Sequence, residues 1–407
     1  MPNSHQPPAR IDLEHAVFRS NGVYELVLFD RLPPDQQAMV SDLKKQPEFY
    51  GVLRPAGDSG MSVKSVSRET ALLFLTMKEP GTLPEYARAL LAADQGAAIS
   101  RMVLDQVLEI EQDGRFLSGA EAYELFHGPS ADHSASGAIQ QLSINALKYG
   151  AALHVADPFQ LSLRLYNYHR LPITTRWRDA YPDRQAVAER LGVGSGGRYA
   201  TFVSAHWHEA SDVEREGENN ESGHAGWLSW ANRHHNTSSE MPSTTHKLYI
   251  SPMPEFVENV FAVTLRVLTD TRVLQIKVGA DVEGLLRPDK IVAYFTSLDD
   301  LRSAADVLGS RLQGCPAHGV PFTAALDEDG LLSWGVDPPE SQQLLNWQPR
   351  ESWRLWLTNR LANALLTAKR TPQDATHRRP AWQYALERLQ LEGVDTATWT
   401  PNAGLWR

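Results

Sequence analysis

The stretch His246-Lys-Leu-Tyr-Ile-Ser251 alternates polar and apolar residues, and Gln275-Ile-Lys-Val278 repeats the pattern. Side chains of a strand point alternately to its two faces. Lys247, Tyr249 and Ser251 therefore share one face, and His246, Leu248 and Ile250 the other. In the second stretch Gln275 and Lys277 lie opposite Ile276 and Val278. A third run, Lys290-Ile-Val-Ala-Tyr-Phe295, follows the loop Leu285-Leu-Arg-Pro-Asp289 and brings Tyr294 with it. If the three runs pair in one sheet, Lys247, Lys277, Tyr249 and Arg287 converge above it. That predicts a cationic pocket with a candidate base inside.

Composition narrows what such a pocket holds. The chain has 407 residues, 42% apolar and 22% charged, with a formal net charge of −10. An acidic surface repels nucleic acid, so a basic pocket within it suits a small anion better than a duplex. Cys315 is the one cysteine, which excludes an intrachain disulfide and a cysteine-rich zinc site and fits a reducing cytosol. The opening MPNSHQPPAR lacks the apolar core of a signal peptide, and no apolar run approaches the ~20 residues that span a bilayer. We expect a soluble, cytoplasmic protein, with no nucleic-acid or membrane partner.

Outward from the lysine strands, the fold class is α+β. Residues 196–370 read as a domain of mixed sheet and helices. Within it, 254–269 is an amphipathic helix with Phe256, Val257, Val260, Phe261 and Leu268 inward, and helices follow at 299–312 and 352–368. Upstream, 91–195 is mostly helical, with helix predicted over 83–128 and 139–156. Asp157-Pro158 opens another helix, 171–177 is an extended connector, and 183–191 is helical. The run Gly192-Val-Gly-Ser-Gly-Gly197 lacks the Lys-Ser/Thr ending of a phosphate loop and a following helix, so it is a linker, with 199–204 as the next strand. Residues 13–90 combine a hairpin turning at Asn21-Gly22, a helix at 35–45, a strand at 48–54 and a helix start at Ser67-Arg-Glu-Thr70. That order suits either a small winged-helix-like unit for peptide recognition or a cap on the larger domain. Residues 1–12 form a mobile N-terminus and 371–407 a C-terminal extension.

Other chemistry is thinly represented. His206-Trp-His208, His224, His234-His235 and His246 crowd one region, but no acidic or cysteine ligand stands at a telling spacing, so no metal is expected. The acidic run Glu214 to Glu221 reads as a solvated loop. No Gly-x-Ser-x-Gly elbow, carboxylate pair or kinase signature occurs. Taken alone, the lysines have a plainer reading as polar outer faces of half-exposed strands.

Several short motifs, in order, shift that balance. They are Lys247-Leu-Tyr249-Ile-Ser251, Gln275-Ile-Lys277-Val, Arg287-Pro-Asp289, Gly319-Val-Pro-Phe-Thr323, Asp337-Pro338 and a closing helix with Arg354 and Arg360. Over residues 246–368 the chain resembles the family of Hop-type type III effectors and the lyases of class V lanthipeptide and thioamitide pathways. More distantly it is similar to the phosphothreonine lyases, which carry Lys-x-His-Ile-Ser and Phe-Lys-Val segments. Where those enzymes have the histidine taken as general acid, this chain has Tyr249. His246 sits on the opposite face and does not replace it.

The resemblance implies a lyase that eliminates phosphate from phosphoserine or phosphothreonine of a ribosomally made precursor peptide, leaving dehydroalanine or dehydrobutyrine. Lys277 would be the base and Tyr249 the donor to the leaving group. Lys247 and Arg287 would hold phosphate, with Arg354 and Arg360 as further candidates and Tyr294 and Ser251 in support. The chemistry suits these side chains. A lysine serves as base only when its pKa falls from ~10.4 toward neutrality, and burial beside other cations pushes it that way. Cations also stabilise the leaving dianion and the developing enolate. No cofactor is required; the implied partners are a precursor peptide with its leader and a separate kinase. The alternatives are a non-catalytic partner that binds the precursor peptide or a kinase, and an effector acting on a phosphoprotein.

Overall fold

The computed structural model describes residues 11–57, 59, 61–90, 95–127, 136–210, 226–235, 245–338, 351–370 and 380–402. It is a mixed α+β fold built around one large antiparallel sheet. The strand order across that sheet is Ala324–Ala325, Leu332–Val336, His246–Ile250, Ile291–Phe295, Gln275–Gly279, Trp227–Asn232 and Trp207–Glu209. The two lysine strands flank the Ile291–Phe295 strand. Lys247 stands opposite Tyr294, and Lys277 opposite Val292. The predicted pairing of the three runs in one sheet is what is found.

One face of the sheet is apolar. Leu248, Ile250, Ile276, Val278, Ile291, Ala293 and Phe295 pack against the helices Val257–Thr269 and Leu298–Arg311. Burying each leucine or isoleucine there contributes about 1.5–3 kcal/mol relative to exposure. Ser297 caps the second helix, its side chain accepting from the Asp300 amide. Phe256 was expected inward but is exposed; it ends a 3-10 turn, and the α-helical register begins only at Val257.

The other face is roofed by a helical layer. Ala138–Ala152, Pro158–Tyr166, Trp353–Arg370 and Ala381–Gln390 share a core of Leu147, Leu161, Leu165, Trp356, Leu361 and Tyr384. Trp353 lies so close to the sheet that a Cβ at Gly335 would meet its ring at 2.7 Å. The C-terminal segment is thus built into this layer through the Ala381–Gln390 helix.

Several expected elements differ. Asn21-Gly22 does not turn a hairpin: Val17–Ser20 pairs with Gly81–Thr82 and Leu108–Gln112, whereas Tyr24–Leu28 pairs with Phe49–Pro55. The Asn21 carboxamide accepts from the Val23 amide, a local turn that sends the chain to a second sheet. The helix expected through 83–128 is interrupted by a true hairpin, Leu108–Gln112 with Arg115–Leu117. Its turn residues Asp113 and Gly114 take φ of 52° and 75°, as a type I′ turn requires. The first strand of the 13–90 segment therefore belongs to a sheet that continues to residue 117. Residues 199–204 form most of a helix, Ala200–His206, not a strand; a short apolar run does not fix its own period. So the glycine run is followed by a helix after all, and Gly192 is the left-handed cap of the Arg184–Leu191 helix before it. The connector at 171–177 stops at Thr174, which caps Thr175–Ala180. Asp157 and Ser67 cap helices as expected, each accepting from the amide three residues on.

Candidate functional site

Strand alternation sets Lys247, Tyr249, Lys277 and Tyr294 on the roofed face, where aromatic rings separate the cations. The Lys247 and Lys277 Nζ atoms lie 5.6 and 5.5 Å from the Tyr294 ring centroid. Lys277 also stands 4.1 Å from the Trp227 centroid, and the Arg287 guanidinium approaches the same ring at 5.2 Å. A ring face attracts a cation, so the two rings help hold two lysines and an arginine together. Lys247 is 4% exposed and Lys277 9%. Arg287 reaches this place because the chain folds back tightly after the lysine strand. A Cβ at Gly279 would lie 2.4 Å from the Gly284 backbone, so the turn needs glycine there.

Among the described residues, Asp337 and Asp289 answer these cations. Lys247 Nζ is 2.6 Å from Asp337 Oδ1, which also accepts from the Trp353 amide at the start of the closing helix. Arg287 grips Asp289 with both Nε and Nη2 at 2.9 Å, while Arg354 Nη1 reaches the same carboxylate at 2.8 Å. The Tyr166 hydroxyl donates to Asp289 at 3.3 Å. Arg354, 1% exposed, is completed by the carbonyls of Tyr166 and Pro321. Burial alone would raise the Asp289 carboxyl, but the Arg287 and Arg354 guanidiniums outweigh it and hold the acid far below the ordinary range. Among the described residues, Lys247, Lys277, Arg287 and Arg354 thus gather with Asp289 and Asp337.

The remaining expected residues take different places. Tyr249 packs with Val292, Tyr294 and Val320, and burial raises its phenol well above the ordinary value, so it stays a donor at working pH. Ser251 Oγ donates to the Pro288 carbonyl at 2.6 Å and fixes the loop that carries Arg287 and Asp289. Arg360 is not brought into the cluster. It pairs with Glu392 at 2.7 Å and lies over the Trp356 ring at 3.6 Å. Six residues beyond Arg354 is roughly 240° around a helix, which turns it away.

Sequence reasoning gave no role to Asp289, Asp337, Tyr166 or Trp227, although Arg287-Pro-Asp289 sets base and acid two residues apart. It also passed over Lys290. This lysine is 0% exposed, and its Nζ contacts the Pro252 carbonyl at 2.9 Å and His318 Nδ1 at 2.8 Å. Burial pushes its ammonium down to about 7, against the pull of Asp289 and Glu255. Of the clustered histidines, His206 and His234 come within 6.3 Å ring to ring, and His246 packs on Trp334. His224 and the run Glu214 to Glu221 lie outside the described residues. Among the described residues no group of three or more His, Cys, Asp or Glu is arranged to hold a metal. Among them, too, no helix is long and apolar enough to cross a membrane.

No protein-family model matches this chain, and no curated protein matches it. Solved structures similar over part of it include two effector proteins. One is an effector protein from Pseudomonas syringae pv. tomato strain DC3000, 12% identical, with a TM-score of 0.39. The other is an effector protein from Pseudomonas syringae pv. syringae strain 61, 13% identical, with a TM-score of 0.40. Each comparison covers 65% of this chain and 98% of the other.

Proposed function

We propose that this protein eliminates phosphate from phosphoserine or phosphothreonine in a peptide. The reading rests on one observation above the rest: Lys247, Lys277, Arg287 and Arg354 gather on one roofed sheet face around aromatic rings and the Asp289 carboxylate. Such a gathering of cations suits a phosphate group, with Lys247 and the arginines supplying the charge when Lys277 is the neutral base. Lys277, as the free amine, takes the Cα proton of the phosphorylated residue. The electron pair of the Cα–H bond becomes the second bond between Cα and Cβ, the Cβ–O bond breaks, and inorganic phosphate leaves. Arg287 and Lys247 meet the departing phosphate, and Tyr249, held protonated, donates toward it. The product is dehydroalanine or dehydrobutyrine, with a kinase and a precursor peptide as the partners this chemistry needs.

A second reading has its own support. Lys247, Arg287 and Arg354 each already hold a carboxylate. Cations occupied in that way suit a non-catalytic partner that binds a precursor peptide or its kinase. Incubating the purified chain with a phosphothreonine peptide and weighing the product separates the two. Elimination removes the elements of phosphoric acid, and a Lys277→Met variant leaves the peptide intact. A peptide unchanged by both proteins rejects the lyase and leaves the binder.

A further inference from the structure

Asp289 and its neighbour Lys290 send two chains of hydrogen bonds to the same turn. From Asp289 one runs to the Tyr166 hydroxyl and, through Arg354, to the Tyr166 carbonyl. From Lys290 the other runs through His318, whose Nε2 lies 2.7 Å from the carbonyl of His169. Tyr166 ends the Pro158–Tyr166 helix, and His169 follows three residues later in the left-handed region, with φ of 70°. The two chains therefore close a ring around the turn 166–169. Its ends fix its direction, because carbonyls only accept. His318 Nε2 carries the hydrogen that goes to His169, so Nδ1 is the acceptor for Lys290, and Lys290 donates again to Pro252. The His318 amide in turn donates to the Ser251 carbonyl at 2.7 Å, joining the ring to the Lys247 strand.

We propose that Lys290 and His318 are positioning residues for the phosphate clamp, holding the Tyr166–His169 turn against Asp289 so that Asp289, fixed by Arg354, presents Arg287. The inference rests on the phosphate reading of this face. Lys290 adds a charge that is present or absent according to pH. The groups facing the pair are Asp289 beside it in the chain, Glu255 from the turn 254–256, and His169 across His318 at 4.6 Å between rings. Burial and the Lys290 charge hold His318 down to about 3, and burial lowers His169, so Lys290 is the member of the pair that titrates near neutrality. Below that point the clamp has one more neighbouring cation than above it.

Sulfate is the probe, because unlike phosphate it stays a dianion on both sides of neutrality. Titrated calorimetrically into the full chain, it should bind about fivefold more weakly at high pH than at low pH. Lys290→Met should bind weakly with no such step. His318→Leu should also weaken binding, and His318→Gln should restore it, since the amide oxygen accepts from Lys290 while its nitrogen donates to His169. Should Lys290→Met not fold, the His318 pair decides. Wild-type affinity and pH profile in Lys290→Met, or equal binding by His318→Leu and His318→Gln, would overturn the positioning role, provided Arg287→Ala abolishes binding. If Arg287→Ala binds sulfate like wild type, the phosphate reading itself falls.

Discussion

On one face of the seven-stranded sheet, Leu248, Ile276 and Ala293 meet two helices through apolar contact alone. One residue away along the same strands, Lys247, Lys277 and Tyr294 line the opposite face, where cations pack on aromatic rings. The backbone is common to both faces, so side-chain alternation alone assigns them different work. The apolar face sets stability by area removed from water, and a missing methyl group is felt as a cavity. The cationic face is buried almost as deeply, but there each charge must be answered or it costs several kcal/mol. Asp289 and Asp337 answer Lys247, Arg287 and Arg354, and Lys277 stands over the Trp227 ring.

The contrast is sharpest at adjacent positions. Lys277→Met, which keeps the length of the side chain, should leave folding intact and slow elimination by about 10²–10⁴-fold. Lys277→Arg should fail as well, because a guanidinium does not deprotonate near neutral pH. Wild-type turnover by either variant on a phosphopeptide removes the base from this position. Next in size is Asp289→Ala, which leaves Arg354 buried without its carboxylate and should lose about 3–5 kcal/mol in urea unfolding. The pH dependence follows from its depressed acid. Asp289 contributes fully above the unfolded-state pKa of ~3.9 and loses its contribution as pH falls further. A flat stability profile through that acid range would show that Asp289 does not bind the arginines together.

On the other face, Ile276→Ala should cost about 2–5 kcal/mol, yet leave the preference for phosphorylated peptide unchanged. A changed preference would mean that the two faces are mechanically coupled. The smallest effect belongs to Tyr249→Phe, which should slow phosphate release about two- to tenfold, the worth of one hydrogen bond. A full rate across the pH range would make Tyr249 a packing residue beside Val320.

The polar face was legible because a period of two needs only a few residues to declare itself. Lys247, Tyr249 and Lys277 declare it, and the register places them as the alternation requires. What the pattern could not carry was partnership. Lys290 and His318 are 28 residues apart, and nothing local marks them as neighbours. Arg354 and Arg360 sit on one helix with equal credentials, and only packing decides which one faces Asp289. Turn signals behaved likewise. Asn21-Gly22 and Asp113-Gly114 are both strong hairpin dipeptides, yet only the second takes the left-handed conformation at both positions. The first is spent on an Asn21 side-chain turn between two sheets. Helix and strand were confused at 199–204 and near 108–117, where short apolar runs fit either period.

The central claim is that the cationic face holds a phosphate group. It is tested most directly by comparing affinity for one peptide in its phosphorylated and unphosphorylated forms, in wild type and in Arg287→Ala. The account predicts about a tenfold preference for the phosphorylated form in wild type, lost when the guanidinium is removed. Equal affinity of wild type for the two forms would contradict it.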